Sequence, residues 1–384
     1  MNIRFLFYKT KTSLKFFYSA RVLVFVLCIT SVNIIAQSVA FKGQMWGSLL
    51  RGDDPPIGRS NFEQKWGYIP VFSYTKDLAN NSLLDLEWAH KLGKVYAGDY
   101  SIGSLDAPYR LWFRYSSDLF EARLGLQKIS FGPAMILRSL SWFDTIDIKD
   151  PTGQTDAVEA LRLRAFPSNS IGLWLWSIKN EQDTLSFGGR TELSINAGEF
   201  GFTYHKDQST LPQSIGQSPV YIASAHQRIA FDYRYDGFIG LWLETAGIFS
   251  NSKNSTQPNK FTLFTVGSDY TIPIGPGLLV MVESMNIREL STVTNNAKTH
   301  NYTAFMASLP VNMLVQLMFI TQVDLESNNV YHFLSSGITF DHFSINLILS
   351  SSPARREYDI AEEFLPKTTS GFGKGIQLML IYNH

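Results

Sequence analysis

The 384-residue chain holds a single cysteine, Cys28. One thiol can build neither a disulfide framework nor a thiolate metal site. Charge is also scarce: 17% of residues are Asp, Glu, Lys or Arg, against 45% hydrophobic and 14% aromatic. An ordinary soluble domain carries more charge than that. The charges balance at 33 basic and 33 acidic residues, so no basic excess advertises nucleic-acid binding. Histidines stand at 90, 205, 226, 300, 332, 342 and 384. No two have the i, i+4 spacing of a helical zinc motif, and no metal site is expected. No Gly-x-Ser-x-Gly elbow occurs either, which removes the usual serine-hydrolase signature. With no nucleophile or acid–base set singled out, no enzymatic activity, catalytic residue or cofactor is expected. After residue 37 no apolar run approaches the roughly 20 residues of a membrane-spanning helix.

What is present begins with an export segment. Arg4, Lys9, Lys11, Lys15 and Arg21 carry positive charge with no acid among them, and an apolar run from Val22 to Ile29 follows. Ala36, with Ile34 before it, offers a cleavage point ahead of Gln37, so residues 1–36 read as a cleaved signal peptide. Its removal takes away Cys28 and five basic residues, leaving 28 basic against 33 acidic residues, a net charge of −5.

Beyond residue 37, short segments repeat a period of two, the mark of strands with two unlike faces. Phe343, Ile345, Leu347 and Leu349 share one side, with Ser344, Asn346 and Ser350 on the other. Tyr109, Leu111, Phe113 and Tyr115 alternate with Arg110, Trp112, Arg114 and Ser116. About eighteen such segments (16–18) can be counted. They lie at 39–49, 64–75, 83–92, 108–116, 119–130, 157–166, 170–179, 188–196, 199–206, 222–235, 238–249, 260–272, 277–288, 301–308, 311–323, 330–340, 343–351 and 374–383. The links alternate in length. Tight ones such as "KDLANN", "SSD", "PSNS", "AG" and "YDG" follow the even segments. Long polar ones, including "RGDDPPIGRSNF", "GKVYAGDYSIGSLDA", "KDQSTLPQSIGQSPV" and "SPARREYDIAEEFLPKTTSGFG", follow the odd ones. Short turns on one rim and long loops on the other characterise outer-membrane barrels. The expected fold is therefore all-β, a transmembrane antiparallel β-barrel over 37–384. Since the first strand starts almost directly after the cleavage point, no plug domain of the TonB-dependent receptor kind is expected.

The last segment, "KGIQLMLIYNH", sets Gly375 ahead of alternating Ile376, Leu378, Leu380 and Tyr382. It resembles the C-terminal signal read by the barrel-assembly machinery, although the usual terminal phenylalanine is replaced by Asn383 and His384. That resemblance implies the assembly machinery as a partner, beside outer-membrane lipid and lipopolysaccharide.

If one face of each strand meets lipid, charged residues turn inward. The candidate lumen residues are Arg110, Arg114, Arg123, Arg162 and Arg164 with Glu121 among them, on three neighbouring strands. Rings of arginine and lysine favour anions in pores. Between the fifth and sixth segments lies "FGPAMILRSLSWFDTIDIKDPTGQTD", residues 131–156. Its first half is apolar and aromatic and its second half carries spaced aspartates. A structureless connection this long is functional or disordered, and its large apolar residues argue against disorder. As the third long loop it is expected to fold into the lumen, its apolar half on the wall and Asp144, Asp147 and Asp150 facing the arginines. A lid over the mouth is the alternative placement.

At this stretch the sequence resembles porin-like outer-membrane proteins of Bacteroidota, mostly of unassigned function. The resemblance rests on Gln127, Lys128, Phe131, Gly132, Trp142, Phe143, Asp144, Asp150, Pro151, Thr155, Asp156 and Val158. Ala157 stands where that pattern has glycine. It covers roughly a tenth of the chain and implies a barrel and a location, not a substrate. The function expected is passive diffusion of small polar or anionic solutes. The rivals are a non-transporting surface barrel that binds polysaccharide, similar to capsule-assembly lectins, and a structural subunit of a cell-envelope complex.

Overall fold

A computed structural model describes residues 37–55, 60–180, 182–211, 213–215, 220–250, 258–291, 296–353 and 373–384. The export segment 1–36, with Cys28, lies outside these residues, as does most of the last long loop. The strands are β1 (Gln37–Gly52), β2 (Phe62–Leu78), β3 (Ser82–Ala97), β4 (Tyr100–Ser116), β5 (Phe120–Gln127), β6 (Val158–Ser168), β7 (Ile171–Lys179), β8 (Leu185–Ile195) and β9 (Gly198–Asp207). They continue with β10 (Gln213–Ser214), β11 (Tyr221–Ile222), β12 (His226–Asp236), β13 (Gly240–Ser250), β14 (Lys260–Ile272) and β15 (Leu278–Ser291). The last are β16 (Asn296–Pro310), β17 (Val315–Asp324), β18 (Asn329–Thr339), β19 (Phe343–Ser351) and β20 (Lys374–Asn383).

Eighteen of these form one antiparallel sheet, each strand bonded to its neighbour along the chain. The ring closes where Leu49 pairs with Leu378, joining β1 to β20. It skips β10 and β11, a separate two-stranded hairpin, by pairing β9 with β12. Closure leaves every barrel strand with a neighbour on both sides. Each of the eighteen sequence segments overlaps one barrel strand, although several overrun an end: 119–130 continues past Gln127, 222–235 begins before His226 and 311–323 begins before Val315.

Two connections differ from expectation. The third segment does not end at Leu92: "GKVYAGDYSIGSLDA" prolongs β3 and β4 into a hairpin turning at Gly98, whose φ is +60°. Val95, Tyr96, Tyr100 and Ile102 supply the β-branched and aromatic residues that favour strand. The β9–β12 connection, 208–225, likewise contains the β10–β11 hairpin.

Alternation sorts the two faces. Along β14, Phe261, Leu263 and Thr265 are buried while Lys260, Thr262, Phe264 and Val266 are exposed. The outward row of β1 is Val39, Phe41, Met45 and Leu49, each about half or more exposed. Such a belt of apolar side chains turned outward is the reverse of a soluble barrel. On β13–β19 the enclosed face is apolar as well, carrying Ile248, Leu263, Met285, Ile287, Met306, Ile320, Phe333 and Ile348. Those residues form one buried cluster with Ile129, Phe131, Leu137, Leu140 and Trp142 of the β5–β6 connection.

Candidate functional site

The β5–β6 connection, residues 128–157, is held to both ends of its own hairpin and then to strands around the ring. Gln127 ties its base, donating to the Ala160 carbonyl at 2.8 Å. The aromatic part lies on β7 and β9: Phe131 stacks on Trp176 at 5.8 Å between centroids, and Phe143 meets His205 edge-on at 4.9 Å. Aromatic pairs in these geometries stabilise beyond their area alone.

The next turn is gripped by two buried glutamates. Glu283 on β15 accepts three consecutive backbone N–H groups, from Met135 at 2.7 Å, Ile136 at 2.9 Å and Leu137 at 2.6 Å. Glu244 on β13 accepts those of Ala134 and Leu140 at 2.9 and 3.1 Å. The Thr265 hydroxyl on β14 donates to the Leu137 carbonyl at 2.9 Å. Successive amides converging on one carboxylate form an anion-binding concavity, here filled from within the chain. Gly132 makes the approach possible: at φ +90° a Cβ there would sit 2.4 Å from Glu244 Oε1. Both glutamates lie near the middle of their strands.

The polar half continues around the wall. Lys149 Nζ reaches Gln322 Oε1 on β17 at 3.2 Å. Gln44 on β1 donates to the Thr152 carbonyl at 3.1 Å and accepts from Gln154 at 3.0 Å. On β4 a β-bulge leaves Tyr109 unopposed between the pairs Ala89–Arg110 and His90–Pro108. A bulge re-aims side chains, and here Tyr109 and Arg110 both grip Thr155. Arg110 donates to the Thr155 carbonyl at 2.8 Å, and the Tyr109 hydroxyl accepts its N–H at 3.2 Å.

The arginines of β4–β6 assemble as a patch. Arg114 pairs with Arg123 across one ladder and Arg123 with Arg162 across the next, so the three stand in a row. Arg114 meets Asp85 at 2.7 Å and Glu121 at 3.5 Å; Arg162 and Arg123 reach Glu121 at 2.6 and 3.8 Å. Arg164 lies 4.1 Å over the Trp174 ring, and Arg123 lies 4.4 Å over Trp112. Stacking on tryptophan holds a guanidinium flat while leaving its edge open. The Nε atoms of Arg123, Arg162 and Arg164 have no hydrogen-bond partner among the described residues. Four guanidiniums thus share two carboxylates, while the nearby Glu87 takes the Trp112 indole N–H at 3.2 Å.

The three aspartates are not arrayed against this patch, contrary to the sequence expectation. Asp144 pairs with Arg138 of its own loop and accepts from Ile146 N at 3.2 Å. Asp147 accepts Lys149 N at 2.9 Å, and Asp150 accepts Thr152 N at 2.9 Å. Aspartates readily bond the backbone two residues on, and that local acceptor role satisfies them before any arginine across the ring can. Burial pushes the Asp150 carboxyl above its usual range, opposed by its bonds from Thr152. Burial likewise pushes the Lys149 ammonium below its usual range, with Asp147 opposing.

Sequence reading passed over Glu244, Glu283, Arg138 and Tyr109. The two glutamates do leave a trace: each is the lone acid in an inward row otherwise apolar, Trp242-Glu244-Ala246-Ile248 and Met281-Glu283-Met285-Ile287. A carboxylate in such a row requires donors from elsewhere.

No family model and no curated protein matches the chain. Among solved structures it is similar to OccK2 (OpdF) of Pseudomonas aeruginosa, with a TM-score of 0.58 at 8% identity over 90% of this chain and 97% of that one. OccAB4 of Acinetobacter baumannii gives 0.58 at 7% identity over 92% and 100%. An anion-selective porin from Comamonas acidovorans gives 0.50 at 14% identity over 91% and 100%. At such identities the likeness speaks for the fold, a closed antiparallel barrel of the porin type.

Proposed function

We propose that the protein is an outer-membrane channel of narrowed bore, in which small polar solutes, anions above all, pass along the arginine patch of β4–β6. The outward apolar belt supports residence in a bilayer, and an export segment with short turns on one rim supports the outer membrane. The β5–β6 connection acts as the constriction. It covers the apolar part of the enclosed wall and leaves the basic part facing what remains of the bore. The single observation that carries the reading is the patch itself: Arg114, Arg123, Arg162 and Arg164 share only Asp85 and Glu121 as ion-pair partners among the described residues. A local positive excess in a narrow aqueous passage raises the concentration of anions there. The Comamonas protein, named for its anion selectivity, is in line with this reading by analogy alone.

One observation favours a second reading. The connection is bonded to β1, β4, β13, β14, β15 and β17, which suits a sealed barrel that serves as a surface-binding or structural protein. Planar-bilayer recording of the purified protein separates the two. The channel reading predicts discrete conductance steps and, in a salt gradient, a reversal potential of anion-selective sign. A barrel that inserts and never conducts would leave the second reading standing.

A further inference from the structure

The turns of the short rim divide into two contiguous arcs of unlike chemistry. Those joining β2 to β3, β6 to β7 and β8 to β9 carry Asn80 and Asn81, Ser168 to Ser170, and Asn196 with Ala197 at their exposed tips. This arc is mostly but not wholly polar: Leu119 is 66% exposed beside Ser117 and Asp118 in the β4–β5 turn, and Ile195 is 50% exposed beside Asn196. The four successive turns joining β12 through β19 differ. Phe238 is 83% exposed in the first, Ile274 is 58% exposed in the second, and Met313 is fully exposed in the third, between Val311 and Leu314. In the fourth, Phe340 stacks on Phe343 at 4.5 Å, both exposed.

A lone exposed apolar residue needs no explanation, but a contiguous set larger than the ordinary surface patch marks an interaction surface. This set is continuous with the outward belt. Phe238 packs on Tyr270 of β14 at 5.1 Å, and above it run Leu241, Phe264, Val266 and Val282, all exposed. Leu317 and Leu347 extend the belt above the other two turns. The surface that meets the turn tips is therefore the one that meets the belt. A protein partner would need its own site, whereas lipid already lies against the adjoining strands.

We propose that the barrel sits unevenly in its membrane, with the β12–β19 turns immersed in the headgroup and acyl boundary of the short-rim leaflet and the β2–β9 turns in water. The occupant of the apolar arc is phospholipid. Amphipathic and aromatic side chains favour this boundary zone, and a segment longer than the local hydrocarbon thickness accommodates by tilting. The inference rests on the membrane reading of the barrel and is independent of whether it conducts.

The test uses nitroxide labels in the full-length protein reconstituted into phosphatidylethanolamine–phosphatidylglycerol vesicles. With Cys28→Ser the chain has no other thiol, so Ile274→Cys, Met313→Cys, Asn80→Cys and Asn169→Cys each report one position. Leu124→Cys, on the belt, is the lipid reference. Labels at 274 and 313 are expected to show an oxygen-to-nickel-chelate accessibility ratio several-fold above that at 80 and 169, approaching the value at 124. Equal ratios at the four turn positions, with 124 in lipid, overturn the uneven immersion. A water-like ratio at 124 itself overturns the membrane reading and this inference together. Turn labels wet in vesicles yet protected in isolated outer membranes would identify the occupant as protein and overturn the lipid assignment. Phe238→Cys and Phe340→Cys replicate the arc should either first variant fail to fold.

Discussion

At the scale of single residues, the most consequential are the two glutamates that grip the connection. Glu283 takes three successive amide donors, and the bonds from Ile136 and Leu137 are buried. Leaving a buried N–H unpaired costs about 1–3 kcal/mol. Glu283→Ala should therefore release the turn at 134–140, and Glu283→Gln, which keeps one acceptor oxygen, should release it less. Limited proteolysis should cut within 134–140 in the alanine variant and spare the parent; identical cleavage patterns would show that the turn is held by its apolar contacts alone. Asp150 gives docking a pH dependence. Its carboxyl is raised by burial, so the docked loop binds a proton more readily than the free loop. The contribution is full below the free carboxylate value of about 4 and is lost as pH rises through the docked value. Asp150→Asn, which can still accept from Thr152, should protect the loop from proteolysis better at neutral pH and about equally at acid pH. The sequence showed the aspartates of this loop but not their partners. An acid reads the same whether its donor lies two residues on or across a barrel, and only the folded chain decides between Thr152 and Arg162.

At the scale of the strand, alternation was legible wherever the two faces meet different surroundings. Leu347 is exposed outward and Asn346 is turned toward the enclosed side, opposite Gly337 in the β18–β19 ladder. Arginine at Leu347 should destabilise the barrel by about 2–4 kcal/mol if that residue lies near the bilayer midplane, while Asn346→Arg should cost much less. Urea unfolding in vesicles, followed by heat-modifiable migration, measures both; equal costs would reverse the assignment of faces. Alternation was weak in β15, and the reason is visible in the fold. Met281, Met285 and Ile287 point inward yet are apolar, because they receive Leu137, Leu140 and their neighbours from the connection. A strand buried on one face by lipid and on the other by a loop loses its period of two. The upper halves of β3 and β4 were hidden for a different cause. Their Gly, Asp and Ser content reads as loop, and only the pairing of Val95 with Gly103 and Ala97 with Tyr100 makes it a hairpin.

At the scale of the whole molecule, the question is which charges an ion crossing the barrel would meet. Screening at physiological salt confines an exposed charge to roughly 8 Å, so selectivity belongs to groups bordering the bore and bulk charge matters little. Arg162 and Arg164 border it on the proposed reading. Asp144 is fully engaged by Arg138 inside the loop. The two sets of substitutions should therefore separate. Arg162→Gln with Arg164→Gln should move the reversal potential toward cation selectivity and change conductance modestly. Asp144→Asn should leave the sign of selectivity alone, because the charge it removes is masked by Arg138. It strips a buried arginine of its partner, however, which is strongly destabilising to the segment that holds it. Its signature should be a rise or flicker in single-channel conductance as the connection loosens. Both effects are read from one set of bilayer recordings on three proteins. A shift in reversal potential from Asp144→Asn as large as that from the arginine pair would mean that the aspartate, not the patch, faces the permeating ion, and the path drawn along β4–β6 would have to be moved to the other side of the loop.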